Sequence, residues 1–176
     1  CFSLSSPPDK LQKRFAYTNP EHAPDGIWVN SDGTLICTGG EYDGTIGVHT
    51  IGANGQPTSQ NFIRMANDLP SNWDWDDKRK GIEPEEVVIA EAGGKTFVLA
   101  TLQDAGAVVV YNITDPANPK YDSGAITEMT DYTTQTDGES KGEPEGLAVK
   151  NGYVLVSNTE DPSVALLKSS WVDQLK

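Results

Sequence analysis

The apolar residues of this chain fall in short, dense runs separated by Gly, Asn and Asp. Ile27-Trp28-Val29, Leu35-Ile36-Cys37 and Thr45-Ile46-Gly47-Val48 form one set. Val87-Val88-Ile89, Thr96-Phe97-Val98-Leu99-Ala100 and Val108-Val109-Val110-Tyr111 form a second. Leu147-Ala148-Val149, Tyr153-Val154-Leu155-Val156 and Val164-Ala165-Leu166-Leu167 form a third. Runs of this length, rich in β-branched and aromatic residues, predict strands joined by hairpins. The intervening turns agree: Asn30-Ser31-Asp32-Gly33, Gly93-Gly94 and Asn151-Gly152 separate first and second strands. Asn-Gly suits a two-residue turn with positive φ at both positions. The runs are too continuously apolar for a sheet with one wet face, so strands buried on both sides, in stacked sheets, are expected. A weaker fourth strand fits Gln60 to Ile63 and, one unit later, Tyr121 to Ile126.

Each set opens on nearly the same words: Pro24-Asp25-Gly26-Ile27, Pro84-Glu85-Glu86-Val87 and Pro144-Glu145-Gly146-Leu147, with the prolines 60 residues apart each time. A fixed period is the mark of a repeat architecture. Four antiparallel strands per unit describe a β-propeller blade, where a β-helix would need shorter coils and a sandwich would lack the echo. The predicted fold is therefore all-β, a β-propeller of about three four-stranded blades forming an arc of a larger ring. Residues 1–21 read as the end of a preceding blade and 22–80 as the first blade with a Trp/Asp-rich insertion. Residues 81–140 read as the second blade and 141–176 as an incomplete third. The start, Cys1-Phe2-Ser3-Leu4-Ser5-Ser6-Pro7, repeats the alternation of Val110 to Pro116, which sets it inside a third strand. A closed propeller needs at least four blades. The chain thus reads as part of a larger protein, or as a small chain that completes its ring as a homo-oligomer.

Charge narrows the partners. Asp and Glu number 26 against 13 Lys and Arg, a net charge of −13. Phosphate backbones need a basic face, so nucleic acid is excluded, and an anionic membrane surface with it. No apolar run approaches the length of a spanning helix, so no membrane span is expected. Few lysines and cysteines with many Asp, Thr, Gly and Asn fit an extracellular β protein. Cys1 and Cys37 either pair or leave Cys37 as a buried thiol, the commoner state in a strand. A first-position cysteine also matches an acylated lipoprotein cysteine, against which the strand alignment of residue 1 argues.

The sharpest chemical feature is the carboxylate after each proline: Asp25, Glu85 and Glu145. In a propeller the first strand of each blade lines the channel, so equivalent positions face one another. Carboxylates gathered there repel and rise in pKa unless a cation compensates. A hard ion such as Ca²⁺ or Mg²⁺, taking oxygen ligands, is the natural candidate, with Glu83 and Glu143 as nearby acceptors. The competing reading is that these side chains accept backbone N–H groups of a turn or a neighbouring blade. Trp73 and Trp75, in Trp73-Asp74-Trp75-Asp76-Asp77, form either a sugar- or protein-binding patch or a cover over the blade edge. Asn112-Ile113-Thr114 is a glycosylation sequon at a strand end, with Asn112 the acceptor. His22 and His49 are too few for a three-histidine zinc site and read as hydrogen-bonded surface or loop residues, His22 close to the channel mouth. Gly138-Glu139-Ser140-Lys141-Gly142 matches a nucleophile elbow only formally, since no apolar strand precedes it and Glu143-Pro144 follows.

Three strings carry a resemblance to a known family. They are Gly81-Ile82-Glu83-Pro84-Glu85-Glu86-Val87-Val88, Gly106-Ala107-Val108-Val109-Val110-Tyr111-Asn112-Ile113-Thr114-Asp115-Pro116 and Gly142-Glu143-Pro144-Glu145-Gly146-Leu147. Together they resemble the choice-of-anchor I family pattern GxEPEGV…GGVxVYDVTDP, with Glu86 where the pattern has Gly. The resemblance implies a secreted or surface-anchored β-propeller related to mesenchyme-specific cell-surface glycoproteins. Some members carry alkaline phosphatase- or phytase-like names, and the family supplies no agreed catalytic residues to transfer. Two functions follow as expectations. One is a non-catalytic extracellular segment that binds protein or carbohydrate, or assembles, at a cell surface, with Ca²⁺ in its channel or loops. The other is a metal-dependent esterase- or phosphatase-like hydrolase with Asp25, Glu85 and Glu145 as ligands of a water-activating metal.

Overall fold

The computed structural model describes residues 2–3, 12–13, 22–69, 82–103, 105–122, 127–128, 143–150, 153–159 and 163–167. The first four-stranded antiparallel sheet runs β3 (Pro24–Val29), β4 (Leu35–Gly40), β5 (Thr45–Ile51) and β6 (Pro57–Arg64) in chain order. A 3-10 turn, Met65–Asn67, follows. The second sheet runs β7 (Pro84–Ala92), β8 (Lys95–Leu102) and β9 (Ala107–Asn112), whose outer edge is shared by β10 (Lys120–Tyr121) and β11 (Thr127–Glu128). The third holds β12 (Pro144–Lys150), β13 (Tyr153–Asn158) and β14 (Ser163–Leu167). A separate short pair, β1 (Phe2–Ser3) with β2 (Gln12–Lys13), stands apart from these ladders. No helix among the described residues is long and apolar enough to cross a membrane.

The nine apolar runs are strands, as expected. The fourth strand of the first sheet is longer than its apolar content suggests, because Thr and Ser continue the ladder: Thr50 Oγ1 lies 2.8 Å from Thr58 Oγ1 across β5 and β6. Asn112 sits in the ladder opposite Phe97 and Lys120. Gly93 and Gly94, both at positive φ (56° and 74°), make the tight turn between β7 and β8 that a side chain would strain.

The sheets stack through their faces, and their first strands meet: β3 packs on β7, and β7 on β12. Two apolar layers result. Leu35, Cys37, Ile46 and Val48 of the first sheet pack against Val87, Ile89, Val98 and Val109 of the second. The opposite face of the second, Val88, Phe97, Leu99, Val108 and Val110, packs against Leu147, Val154 and Val156 of the third. Only the middle sheet is buried on both faces, with Val98, Leu99 and Ala100 wholly enclosed. Full burial of a Val or Leu side chain contributes about 1.5–3 kcal/mol as an upper estimate. The strands β3 and β13 were both expected to be buried on both sides; β13 is wet on the face turned away from the middle sheet, and β3 is exposed on both faces, with Ile27, Trp28 and Val29 all open to solvent. Polar ties stitch the sheet ends: Ser31 Oγ donates to Glu91 Oε2 at 2.6 Å, and Tyr111 Oη to Asp68 Oδ2 at 3.2 Å. Cys37 is a free, buried thiol whose pKa burial pushes up to about 12; Cys1 lies outside the described residues.

Candidate functional site

Each proline motif builds the same local device. Between Pro24 and Ile27 the register against β4 slips, and the same slip occurs after Pro84 against β8 and after Pro144 against β13. One extra residue is thereby inserted in the inner strand, a β-bulge. The residues before the prolines, Ala23, Glu83 and Glu143, take positive φ values of 37°, 44° and 36°; they are the only non-glycine residues to do so among those described. Such a conformation costs an L-residue on the order of 1 kcal/mol. A carbonyl hydrogen bond offsets it in every repeat. Glu41 N donates to Ala23 O (3.3 Å), Gln103 N to Glu83 O (2.9 Å) and Thr159 N to Glu143 O (3.1 Å).

The bulge leaves an N–H out of the ladder, and the residue opposite answers it. Glu86 N donates to Thr101 Oγ1 at 3.0 Å, and Gly146 N to Ser157 Oγ at 3.1 Å. Thr101 Oγ1 also donates across to Glu145 O at 3.1 Å, tying the second bulge to the third. In the first repeat the opposing residue is Gly39 instead. A Cβ there would come within 2.8 Å of Pro84 O. The missing side chain is what lets the second bulge approach the first.

This construction turns the three motif carboxylates toward one another. Glu85 is half-buried, while Asp25 and Glu145 remain exposed. Burial, then a hydrogen bond with Asp25 and the negative charges of Asp25, Glu41 and Glu145, raise the Glu85 pKa to about 8. Glu85 therefore keeps its proton at neutral pH and donates it to Asp25. Glu86 is also raised, first by burial and further by Asp25, against the lowering effect of the Val87 N–H. The repulsion expected from sequence is present, and a shared proton relieves it. Glu83 is buried (4% exposed) and Glu143 half-buried, and both shape the backbone through positive φ.

The Gln103 amide sits among three of these carboxylates. In one orientation its Nε2 lies 3.3 Å from Glu145 Oε1. Turned over, the nitrogen lies 3.2 Å from Glu83 Oε2 and 3.0 Å from Glu85 Oε1. Neither Glu41 nor Gln103 was singled out by the sequence reading. Their signal is positional, since both follow the residue paired with the motif proline, as Thr159 does. Among the described residues no group of three or more His, Cys, Asp or Glu side chains is arranged to hold a metal ion. As they stand, the carboxylates are a proton-sharing group.

A second polar constellation lies inside the first sheet. His22, in the turn before β3, is fully buried, and His49, within β5, nearly so, whereas hydrogen-bonded surface or loop positions were expected. His22 Nδ1 lies 3.2 Å from Asp43 Oδ1 and 3.0 Å from Thr45 Oγ1, and Nε2 lies 2.8 Å from Thr38 Oγ1. A carboxylate only accepts, so Nδ1–H points to Asp43, and Nε2 meets the Thr38 hydroxyl. His49 Nε2 lies 3.4 Å from the same hydroxyl. Both imidazoles make T-shaped ring contacts with Phe62. Burial and then the positive charge of His22 lower the His49 pKa to about 4, so it is neutral at physiological pH. Thr38 is itself buried, which makes the group an internal brace. The brace was invisible in sequence because its members come from four separate places in the chain.

Asn112 uses its side-chain oxygen locally, accepting from Thr114 N at 3.0 Å. Trp73, Trp75 and Ser140 lie outside the described residues.

No family model and no curated protein matches the chain. The solved structures that match in fold include the following two. A streptogramin B lyase structure is 19% identical with a TM-score of 0.51, over 92% of this chain and 41% of that one. A protein from Lactobacillus plantarum is 15% identical with a TM-score of 0.54, over 82% of this chain and 41% of that one. At such identities the likeness carries the fold alone. With the stacked antiparallel sheets it makes the chain a β-propeller segment, spanning less than half the length of either structure.

Proposed function

We propose that this β-propeller segment mediates binding or assembly at a cell surface or outside the cell, and that catalysis is not its task. The observation that carries the reading is the outer face of the third sheet. Tyr153, Leu155, Val164 and Leu166 stand there side by side, each 40% exposed or more. Scattered exposed apolar residues are ordinary, but a contiguous patch on a sheet face marks an interaction surface. The resemblance to the choice-of-anchor I pattern supports the extracellular setting, and the acidic net charge agrees with a protein or carbohydrate partner. The test is binding of the apolar dye ANS to the folded chain, compared with Leu155→Glu. Dye fluorescence that falls sharply in the variant supports an exposed interaction face. Equal fluorescence in both overturns it.

Divalent cations belong to the same reading. A Ca²⁺ ion would take the place of the proton that Glu85 shares with Asp25, with Glu145 and Glu41 turning toward it. Calorimetric titration of CaCl₂ above the Glu85 pKa, with Glu85→Gln as control, decides the point. Heat that saturates in the parent and is lost in the variant supports cation binding. No heat at millimolar Ca²⁺ removes the cation from the proposal.

A further inference from the structure

We infer that the buried set His22, Asp43, Thr38 and His49 is an acid-sensitive latch: a second proton on the set opens the first sheet and leaves the second closed. The internal repeat supplies the control. Register and spacing from the motif prolines match the two sheets position by position. Thr38 corresponds to Ala100, Gly47 to Val109 and His49 to Tyr111. His22 lies two residues before Pro24, as Ile82 lies two before Pro84. Asp43 and Thr45 stand where the second repeat has Ala105 and Ala107. These six second-repeat residues are at most 2% exposed, and only Tyr111 among them carries a polar group, its hydroxyl turned to Asp68. The same blade therefore closes around an apolar filling at these positions. A buried polar network is often no more stabilising than well-packed apolar residues of similar volume. Closure does not require the polar set, and imidazole pairs give a fold sensitivity to protons.

The first sheet is fitted to this set. A Cβ at Gly47 would collide with Thr38 Oγ1 and come within 2.7 Å of His49 Nε2, and one at Gly40 would collide with His22 and Asp43. The second repeat carries Val109 and Leu102 at those places. Charge supplies the trigger. Asp43, in the turn between β4 and β5, balances one imidazolium across its 3.2 Å contact with His22 Nδ1. A second proton would sit on His49, whose Nε2 approaches the same Thr38 hydroxyl as His22 Nε2. Arg64 of β6, paired with Thr45, adds positive charge on that side of the sheet. The register neighbours Ile27 of β3, Ile36 of β4 and Gln60 of β6 carry no charge. Burial and His22 hold the His49 pKa at about 4. The folded sheet thus binds this proton more weakly than the open one, and it loses stability as pH falls from 6.5 toward 4. Opening also reaches the carboxylates. His22 precedes Ala23, whose positive φ and bond to Glu41 N hold Asp25 beside Glu85.

Native-state hydrogen exchange read by peptide mass spectrometry tests the latch, with each rate corrected for the pH dependence of the exchange chemistry. Between about pH 7 and about pH 4.5, protection of β4 to β6 should fall about tenfold while β7 to β9 keep theirs. Protonation of carboxylates at large would loosen both sheets together, so the contrast between them carries the test. His49→Gln removes the second proton and should keep β4 to β6 protected at the lower pH. A second variant takes the filling of the second repeat: His22→Ile, Thr38→Ala, Asp43→Ala, Thr45→Ala, Gly47→Val and His49→Tyr together. It should fold and show a flat acid profile in both sheets. Equal loss in the two sheets, no loss in the parent, or a parent-like loss in either variant overturns the latch. Should both variants fail to fold, which circular dichroism near pH 7 shows, the contrast between the two sheets of the parent decides alone.

Discussion

Replacing Glu85 with Gln isolates the electrostatic cost at the stacked bulges. The substitution keeps the shape and the donor of the protonated side chain but cannot ionise. In the folded chain the Glu85 pKa is about 8, against 4.5 when unperturbed. The folded state therefore retains a proton that the unfolded chain releases between those values. Where the folded state binds more protons, stability falls as pH rises; the loss begins near the unfolded value and levels off above the folded one. Taken in full, at about 1.36 kcal/mol per tenfold change in proton affinity, the shift would correspond to nearly 5 kcal/mol. The side chain is only half-buried, and solvent screening cuts this to about 1–2 kcal/mol. Glu85→Gln should thus match the parent near pH 5 and exceed it by about 1–2 kcal/mol near pH 9. Urea unfolding followed by circular dichroism, with EDTA present, measures both. Asp25→Asn should act in the same direction, and the double variant should fall short of the sum, because each substitution relieves the same repulsion. Equal loss of stability at both pH values in Glu85→Gln would refute the reasoning: the side chain would then be acting through packing and not through charge.

Other consequences follow from the surrounding structure. His49, held to a pKa of about 4 by burial and His22, favours the unfolded chain as pH falls from its ordinary value of 6.5. His49→Gln should flatten that acid limb by about 1–2 kcal/mol, read from melting temperatures across the window. Thr101→Val removes the acceptor of Glu86 N and the donor to Glu145 O, and should cost about 1–3 kcal/mol in urea unfolding. Ser157→Ala, at the more exposed third bulge, should cost less than half of that. Cys37 should resist a thiol reagent such as DTNB in the folded chain and react at once in denaturant, since it is buried and its thiolate disfavoured. Rapid labelling under native conditions would contradict the enclosed layer around it.

What the chain's residues determine by themselves is everything that obeys a short period or the long one. Short apolar runs rich in β-branched residues set the strands. Gly93-Gly94 set a turn, and the spacing of Pro24, Pro84 and Pro144 set the equivalence of Asp25, Glu85 and Glu145. That equivalence was enough to anticipate mutual repulsion, because symmetry-related positions near one axis must approach one another. Tertiary structure decided what depends on neighbours far along the chain. The same apolar pattern is dry in β8 and half wet in β13, because only the middle sheet has a sheet on each side. The positive φ of Ala23, Glu83 and Glu143 appears only when a carbonyl must reach the end of the second strand. Glu41 and Gln103 join the carboxylates through that same strand end, and His22 meets Asp43, Thr38 and His49 only once the first sheet has closed. Local pattern reports the backbone's conformation; burial and charge coupling are properties of contacts, and contacts between sheets are made by packing that no stretch of sequence contains.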